Sequence, residues 1–569
     1  MMEVVIATPA HRVLRRELDQ APNYRSWRTC AAALDVSKGA ALWQADLRST
    51  RYNWPFVRGL ISRLREARKK GDWRAAAVAL RLCSRPNVGG IMAPQLFSQT
   101  HTGDPKTVVS DFVEEIAATI EWMTKGAVAN EAFQSINGSS RRRQQPEIGR
   151  RSTRSSTALA AALLREEGSH HQREEEDDGR RRRDGHLQLA DPERELCAKV
   201  ASELFAAARE SYGRTVLSLS GGGALGAYHF GVVRALHSED VLPETVCGTS
   251  AGAIVAAFVC SRSPEELERD LYDDAALLEH LVCFEQTPLE CLRHLLKHRV
   301  MYGRDRWLEI ARWFANDQES GVRDMTFQEA YERSGRKLAI TVCAKGKRAP
   351  PVLLTHLTSP HVLVASAIVA TAGVPGLIAP TVLMEKDPET GQVAPQPDGE
   401  AYIDGSIVHD IPSVGLKEAF NARFVVASQV NPHLSPMLYG THGNAGNPSR
   451  WSSPRRAEDA WRGGFVLAAL ELYLRSDMLS KLEFLRDIDA CPGWTGTLLT
   501  QNFEGTVTIT PTLWFRDFFG LFKNPDKKSL PRFLLHGRIA AYQKISMLRT
   551  RFVVERALVS EQAEFLMLP

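Results

Sequence analysis

The chain has 569 residues, of which 44% are hydrophobic, so it is long and apolar enough for a large core and is not globally disordered. Its 71 basic residues nearly balance its 67 acidic ones, and the net charge of +4 gives no nucleic-acid signature. The nine cysteines include no C-x-x-C pair, which argues against a zinc site and indicates reduced thiols.

Residues 1–135 are predicted to form a helical N-terminal domain, with breaks at Pro55, Gly71 and Pro86. Charged residues follow the first apolar stretch at once, so no secretory signal is expected. We therefore expect a cytoplasmic protein.

One stretch of this domain, Val57 to Leu80, is amphipathic and rich in basic residues. It is a candidate for contact with a lipid surface. The alternative is that its apolar stripe packs on its own domain, and this alternative is favoured because it is the commoner use of such a stripe.

Residues 136–196 are predicted to be a disordered, charged linker. The run 173–178 is almost entirely acidic, and 180–183 is all arginine. Few apolar residues interrupt these runs, so the segment is expected to stay solvated.

A strand predicted at 214–220 is followed by Gly221, Gly222, Gly223 and Gly226 in the pattern G-G-G-x-x-G. Glycine runs let several backbone N–H groups converge on one point, as an oxyanion hole requires. The same glycines fit G-x-G-x-x-G, a weak signature of a dinucleotide site. That reading is disfavoured because the next strand does not end in the acidic residue that would hold a ribose.

The next predicted strand, 243–248, runs into Gly248-Thr-Ser250-Ala-Gly252, and an apolar helix follows. This order of strand, serine turn and helix is that of a nucleophile elbow. The turn strains the serine backbone and requires small neighbours, which Gly248 and Gly252 provide. Ser250 is therefore the predicted nucleophile.

Further strands are predicted at 337–343, 351–356 and 423–428, so helices and strands alternate across 197–435. This alternation predicts a mainly parallel sheet covered on both faces. Residues 265–335 form a predicted helical insert, a candidate lid. The uncharged stretch Val362 to Met384 is long enough to span a bilayer, but its glycines and prolines favour a buried core helix.

No histidine stands in the usual downstream position of a catalytic base, but Asp404 ends the short apolar strand Ala401 to Asp404 and precedes Gly405. A carboxylate in a partly apolar cleft has a raised pKa and can take a serine proton. The alternative is an ordinary Asp-Gly surface turn. Asp410, six residues on, is the second candidate for the base.

Residues 436–569 are predicted to be a helical extension packed on the core. Its segment Leu513 to Phe522 is rich in aromatic residues and is a second candidate for contact with lipid.

The order G-G-G-x-x-G, G-x-S-x-G and D-G resembles the patatin-like phospholipase family. The resemblance extends to the triacylglycerol lipases of fungi and plants with an N-terminal domain before the patatin core. Asn23 to Trp27, Gly373 to Gly376 and Ser428 to His433 contribute to it. The family's H-x-x-x-x-D acyltransferase motif occurs only at His186 to Asp191, inside the linker, and is read as chance.

The resemblance implies a three-layer α/β/α fold with flanking helical regions, and a Ser250–Asp404 dyad. It implies an oxyanion site at the amides of Gly221, Gly222 and Gly223, with no metal and no other cofactor. Gly226, Gly248, Gly252 and Gly405 are the motif glycines.

The expected activity is hydrolysis of triacylglycerol at a lipid droplet or membrane surface, without nucleic acid as a partner. A phospholipase or lysophospholipid hydrolase would use the same dyad. A catalytically silent scaffold on a lipid surface is less favoured, since serine, aspartate and glycines are all present. Thr249 and Ala251 stand where serine and valine are common in the storage lipases, which leaves substrate preference open.

Overall fold

The computed structural model describes residues 9–138, 203–284, 288–316, 324–345, 351–407, 410–431, 444–446 and 503–566, with a few positions between 473 and 488. The predicted linker lies outside these residues except for its first three positions. Most of the polar start of the C-terminal extension lies outside them too.

Six helices form the N-terminal region. They are α1 (Pro9–Asp19), α2 (Tyr24–Ser37), α3 (Ala40–Ala45), α4 (Trp54–Lys70), α5 (Trp73–Cys83) and α6 (Thr107–Gly138). Val57, Leu60, Ile61 and Leu64 of α4 are all buried. The favoured prediction is thus confirmed: this stripe packs on its own domain and is not available to lipid.

The described part of residues 203–566 includes ten strands. They are β1 (Arg214–Leu219), β2 (Thr245–Gly248), β3 (Lys337–Ala344), β4 (Pro351–Thr355), β5 (Thr381–Val382), β6 (Met384–Lys386), β7 (Val393–Pro395), β8 (Ala401–Asp404), β9 (Ala422–Ser428) and β10 (Val507–Ile509).

The main sheet has the order β10-β9-β1-β2-β3-β8-β5, and β4 also pairs with β3. The five strands from β10 to β3 are parallel. The pairings of β4 and β8 with β3, and of β5 with β8, are antiparallel. The prediction of a mainly parallel sheet is confirmed, with an antiparallel extension at the edge that carries Asp404.

The remaining helices surround this sheet. They are α7 (203–212), α8 (Ala227–Ser238), α9 (Ala251–Cys260), α10 (Pro264–Asp270), α11 (Asp274–His280), α12 (Pro288–His298), α13 (Arg304–Ala315), α14 (Phe327–Ser334), α15 (Val364–Thr371), α16 (Ser413–Phe420) and α17 (Ser529–Leu566).

Alternate residues of the strands enter two different cores, as a sheet buried on both faces requires. Val216 and Cys247 pack with Leu416 of α16 on one face. Leu217 and Val246 belong to the larger core on the other face, which includes residues of α8, α9 and α15. The predicted three-layer α/β/α fold is confirmed.

The C-terminal extension belongs to the same core. β10 pairs with β9 at the edge of the sheet. No strand is predicted from the sequence at the position of β10. Helix α17 crosses α8 so closely that a Cβ on Gly231 or Gly537 would overlap backbone of the other helix. The rings of Tyr228 and Phe533 lie 4.5 Å apart at this crossing.

The stretch Val362 to Met384 is not one long helix. It holds the eight-residue, fully buried α15, followed by turns and by β5. Across the part of the chain that the structure describes, no helix combines the length and the apolar character needed to cross a membrane.

Candidate active site

Ser250 occupies the turn between β2 and α9. Its φ of 52° and ψ of −123° lie in a region that favours glycine, so the backbone is strained there. A Cβ on Gly248 would overlap the carbonyl oxygen of Gly252, and one on Gly252 would overlap that of Leu219. The two glycines are therefore required for the elbow to form.

The backbone of Ser250 is held by Thr371 at the end of α15. The Ser250 N–H donates to Thr371 Oγ1 at 3.0 Å, and the Thr371 hydroxyl donates to the Thr341 carbonyl of β3 at 2.6 Å. Thr371 is fully buried. This hydroxyl thus joins the strained turn to the centre of the sheet.

We expect Thr371→Val to lower the free energy of unfolding by about 1–3 kcal/mol, because the partly buried Ser250 N–H and the buried Thr341 carbonyl lose their partner without a change of volume. Urea unfolding followed by tryptophan fluorescence measures this difference. Thr371→Ser keeps the hydroxyl and is the matched control. Equal losses in the two variants would contradict a hydrogen-bonding role.

Asp404 reaches the site from the antiparallel edge of the sheet. Its strand β8 pairs with β3, with Asp404 opposite Val342. Gly405 follows, and a Cβ there would overlap the Thr341 carbonyl oxygen. The Asp-Gly pair is therefore buried against β3 and is not a surface turn.

Burial dominates the electrostatics of Asp404. The side chain is fully buried, and loss of hydration raises its pKa to about 6. Its Oδ1 accepts from the Ser406 N–H at 2.7 Å. The backbone and side chain of Ser406, and then the nearby Ser250 hydroxyl, act to lower this pKa, but burial outweighs them. Oδ2 has no hydrogen-bond partner among the described residues.

The glycine loop lies on the other side of Ser250. A Cβ built on Gly221 would lie 3.3 Å from the Ser250 Cβ, which places this loop beside the serine. Gly222 and Gly223 both have positive φ, at 155° and 58°. Within the described residues, no hydrogen bond uses the N–H groups of Gly222 and Gly223.

The Gly221 amide differs from its neighbours. It donates to Asp410 Oδ1 at 2.8 Å, so it is not available to an oxyanion in this conformation. The oxyanion site stays a prediction, and Gly221 is the member of its three glycines whose N–H is engaged by a buried carboxylate. Sequence could not reveal this, because the partner lies 189 residues further along the chain.

Asp410, the second candidate for the base, is fully buried and tied to several groups. Its Oδ2 accepts from Gln429 Nε2 at 2.9 Å and from Asn431 Nδ2 at 2.8 Å, and its carbonyl accepts from the Thr249 hydroxyl at 3.0 Å. Burial raises its pKa to about 7, and the charge of nearby Asp404 adds to this rise. Asp410 thus joins the glycine loop, the elbow and the end of β9.

His229 of α8 is buried beneath the glycine loop and is not placed as a base. Its Nε2 lies 3.0 Å from the Ser220 carbonyl and must donate to it, so its Nδ1 accepts from the Ser428 hydroxyl at 2.8 Å. Burial lowers its pKa to about 4, which keeps the ring neutral. Both ring nitrogens are therefore engaged in holding the ends of β1 and β9.

Among the described residues, no three or more His, Cys, Asp or Glu side chains are grouped so that they could hold a metal ion. What these residues bring together is a strained serine, a buried carboxylate and two unengaged backbone amides. Such an arrangement defines a candidate site for acyl transfer.

Two family profiles match the chain. One is the patatin-like phospholipase family, over residues 217–414. The other is a domain of unknown function (DUF3336), over residues 5–141. The first match contains the predicted serine, aspartate and glycine run.

Curated fungal proteins resemble the chain over nearly its whole length. A patatin-like phospholipase domain-containing protein of Aspergillus terreus is 30% identical, over 96% of this chain and 68% of the relative. "Triacylglycerol lipase ptl2" of Schizosaccharomyces pombe is 29% identical, over 96% of this chain and 74% of the relative. A patatin-like phospholipase domain-containing protein of Cryptococcus neoformans is 30% identical over 97% of this chain, which spans only 54% of that relative.

The chain belongs to the patatin-like phospholipase family. It spans between about half and three quarters of the length of these three relatives.

Proposed function

We propose that the chain is a serine acylhydrolase that cleaves the fatty-acyl esters of triacylglycerol through a Ser250–Asp404 dyad. The observation that carries the proposal is the pairing of a strained Ser250 with a fully buried Asp404 whose Oδ2 lacks a partner among the described residues. A buried acceptor without a donor is costly, and such groups persist where function uses them.

In the proposed reaction Asp404 takes the Ser250 proton while Oγ attacks the ester carbonyl. The Gly222 and Gly223 amides stabilise the oxyanion of the tetrahedral intermediate. Diacylglycerol leaves with the proton, and an acyl-enzyme remains on Ser250. Asp404 then activates a water molecule that releases the fatty acid.

Two features favour Asp404 over Asp410 as the base. The Ser250 hydroxyl lowers the pKa of Asp404, whereas Asp410 spends both carboxylate oxygens on Gly221, Gln429 and Asn431. Asp410 is therefore assigned to holding the glycine loop in place, and not to proton transfer.

Triacylglycerol is the proposed substrate because the relative from Schizosaccharomyces pombe is named as a triacylglycerol lipase. The second candidate is phospholipid hydrolysis, since other relatives carry the phospholipase name of the family. Both reactions would use the same dyad, and a cytoplasmic enzyme bound peripherally to a lipid droplet or membrane suits either substrate.

The test is fatty-acid release from emulsified triolein, phosphatidylcholine and lysophosphatidylcholine, each with and without a chelator. We expect release mainly from triolein and no effect of the chelator. Release mainly from the phospholipids would replace the proposed substrate class. No release from any of the three would favour the lipid-surface scaffold.

A further inference from the structure

Helix α12 carries its apolar stripe on the solvent side. Leu289 is 69% exposed, Leu292 is 52% exposed and Leu296 is 78% exposed. Their spacing places them on one face of the helix, along a shallow depression that Arg293 and Lys297 also line. Single exposed leucines are ordinary, but three on one face indicate an interaction surface.

A second apolar group contacts residues on both sides of this helix in the chain. Phe519 is 79% exposed and Phe522 is 53% exposed. The rings of Phe522 and Phe284 lie 5.8 Å apart, and the Phe284 N–H donates to Asn524 Oδ1 at 2.7 Å. The Phe284 ring also lies 5.5 Å from that of Tyr302, so the loop of Phe519 and Phe522 packs near residues that precede and follow α12 in the chain.

The charges around these groups are mostly positive. Arg293 and Lys297 are exposed on α12, and Lys523 is exposed next to Phe522. Glu290 is the one acidic residue of α12. An exposed apolar stripe beside lysine and arginine is the composition of helices that lie in the interface of an anionic lipid layer.

Hydrogen bonds link the segments that carry both groups to elements of the candidate active site. The Leu521 carbonyl accepts from the Ala224 N–H of the glycine loop at 2.9 Å. Beyond α12, the Met301 N–H donates to the Gly376 carbonyl at 3.0 Å, in the turn that follows α15. A surface held by these segments would thus lie beside Ser250, where an insoluble substrate must enter.

We propose that Leu289, Leu292, Leu296, Phe519 and Phe522 form a docking patch that inserts into a phospholipid layer containing anionic headgroups. The basic side chains beside the patch contact the headgroups, and the apolar ones enter the acyl region. The proposal rests on the proposed function for its purpose, because the layer is the coat of the lipid that the site would hydrolyse. Binding to the layer itself requires no catalysis.

The test is co-flotation of the full chain with phosphatidylcholine vesicles that either lack phosphatidylserine or contain about 30 mol% of it. The phosphatidylserine gives the vesicle surface a negative potential. We expect Leu292→Gln/Leu296→Gln to reduce binding at least about tenfold, because two exposed leucines no longer enter the acyl region. Arg293→Glu/Lys297→Glu should abolish the preference for phosphatidylserine. Val36→Gln/Leu42→Gln changes two apolar residues of the N-terminal region that are 82% and 81% exposed; it is the matched control and should bind as wild type.

Hydrolysis of a water-soluble short-chain ester separates this proposal from the proposed function. The Leu292/Leu296 variant should keep this activity and lose release from emulsified triolein in step with its vesicle binding. Wild-type vesicle binding by that variant, or no binding by the wild type, would overturn the docking patch. Conversion of a wild-type dimer to a monomer by the same substitutions would overturn it too, because a second copy would then cover the patch. Absence of all esterase activity, with intact vesicle binding, would instead refute the proposed function.

Discussion

Ser250→Ala is expected to lower fatty-acid release by on the order of 10⁴-fold or more, because removal of a serine nucleophile leaves only the residual effect of binding and the oxyanion hole. The side chain loses one oxygen, and alanine occupies the same backbone conformation as serine. The folded structure should therefore persist. Turnover measured with emulsified triolein and with a soluble ester should fall together.

Ser250→Gly provides a second and independent readout of the same turn. At φ 52° and ψ −123° a residue with a Cβ is strained, whereas glycine is not. We expect this variant to be as inactive as Ser250→Ala but more stable by about 1 kcal/mol in urea unfolding. Ser238→Ala, at an exposed serine, is the control and should behave as wild type.

Retention of turnover by Ser250→Ala would exclude Ser250 as the nucleophile.

The elbow and most of the strands of 197–435 could be predicted because their signals are local. Gly248, Ser250 and Gly252 specify a tight turn between a strand and a helix, and the structure has that turn. The same is true of the strands predicted at 214–220, 243–248, 337–343, 351–356 and 423–428, whose ends differ from the observed ones by one or two residues. The short strands β5, β6 and β7 are not predicted. The predicted roles of Ser250 and Asp404 are untested by the geometry alone and stay predictions.

Features that depend on distant residues could not be predicted. β10 is three residues long and pairs with β9 about 80 residues earlier, so its pattern carries almost no signal. Thr371 and Asp410 hold the site through partners 121 and 189 residues away. The aromatic segment near 513–522 was recognised, but the exposed face of α12 was not, because a pattern of apolar residues does not reveal which side of a helix is covered.

Asp404→Asn is expected to lower turnover by about 10²–10⁴-fold, the range for loss of a general base. The asparagine is similar in shape, and its Oδ1 can still accept from the Ser406 N–H. Asp410→Asn is the comparison variant: it should disturb the glycine loop but keep the ionisable group at 404. If Asp404→Asn kept its turnover while Asp410→Asn lost it, the general base would be Asp410.

The pH dependence follows from the pKa of about 6 for Asp404. A base works only when deprotonated, so kcat/KM of the wild type should rise as pH increases through about 6 and level off above it. This rise should persist in Asp410→Asn. If kcat/KM stayed constant between about pH 5 and pH 8, the assignment of Asp404 as the general base would be contradicted.

Asp404→Asn should raise stability although it lowers activity. A carboxyl whose pKa is higher in the folded than in the unfolded protein stabilises the fold least when ionised, so its contribution is lost as pH rises through about 6. Asparagine carries no charge at any of these pH values, so its contribution to the free energy of unfolding does not fall as pH rises. We expect Asp404→Asn to exceed the wild type in free energy of unfolding by up to about 3 kcal/mol above pH 7, with the difference closing towards pH 4. Urea unfolding at several pH values measures this difference. A variant less stable than the wild type at high pH would mean that Asp404 is a structural carboxylate. A carboxylate that is present for catalysis should instead combine loss of turnover with gain of stability when it is replaced.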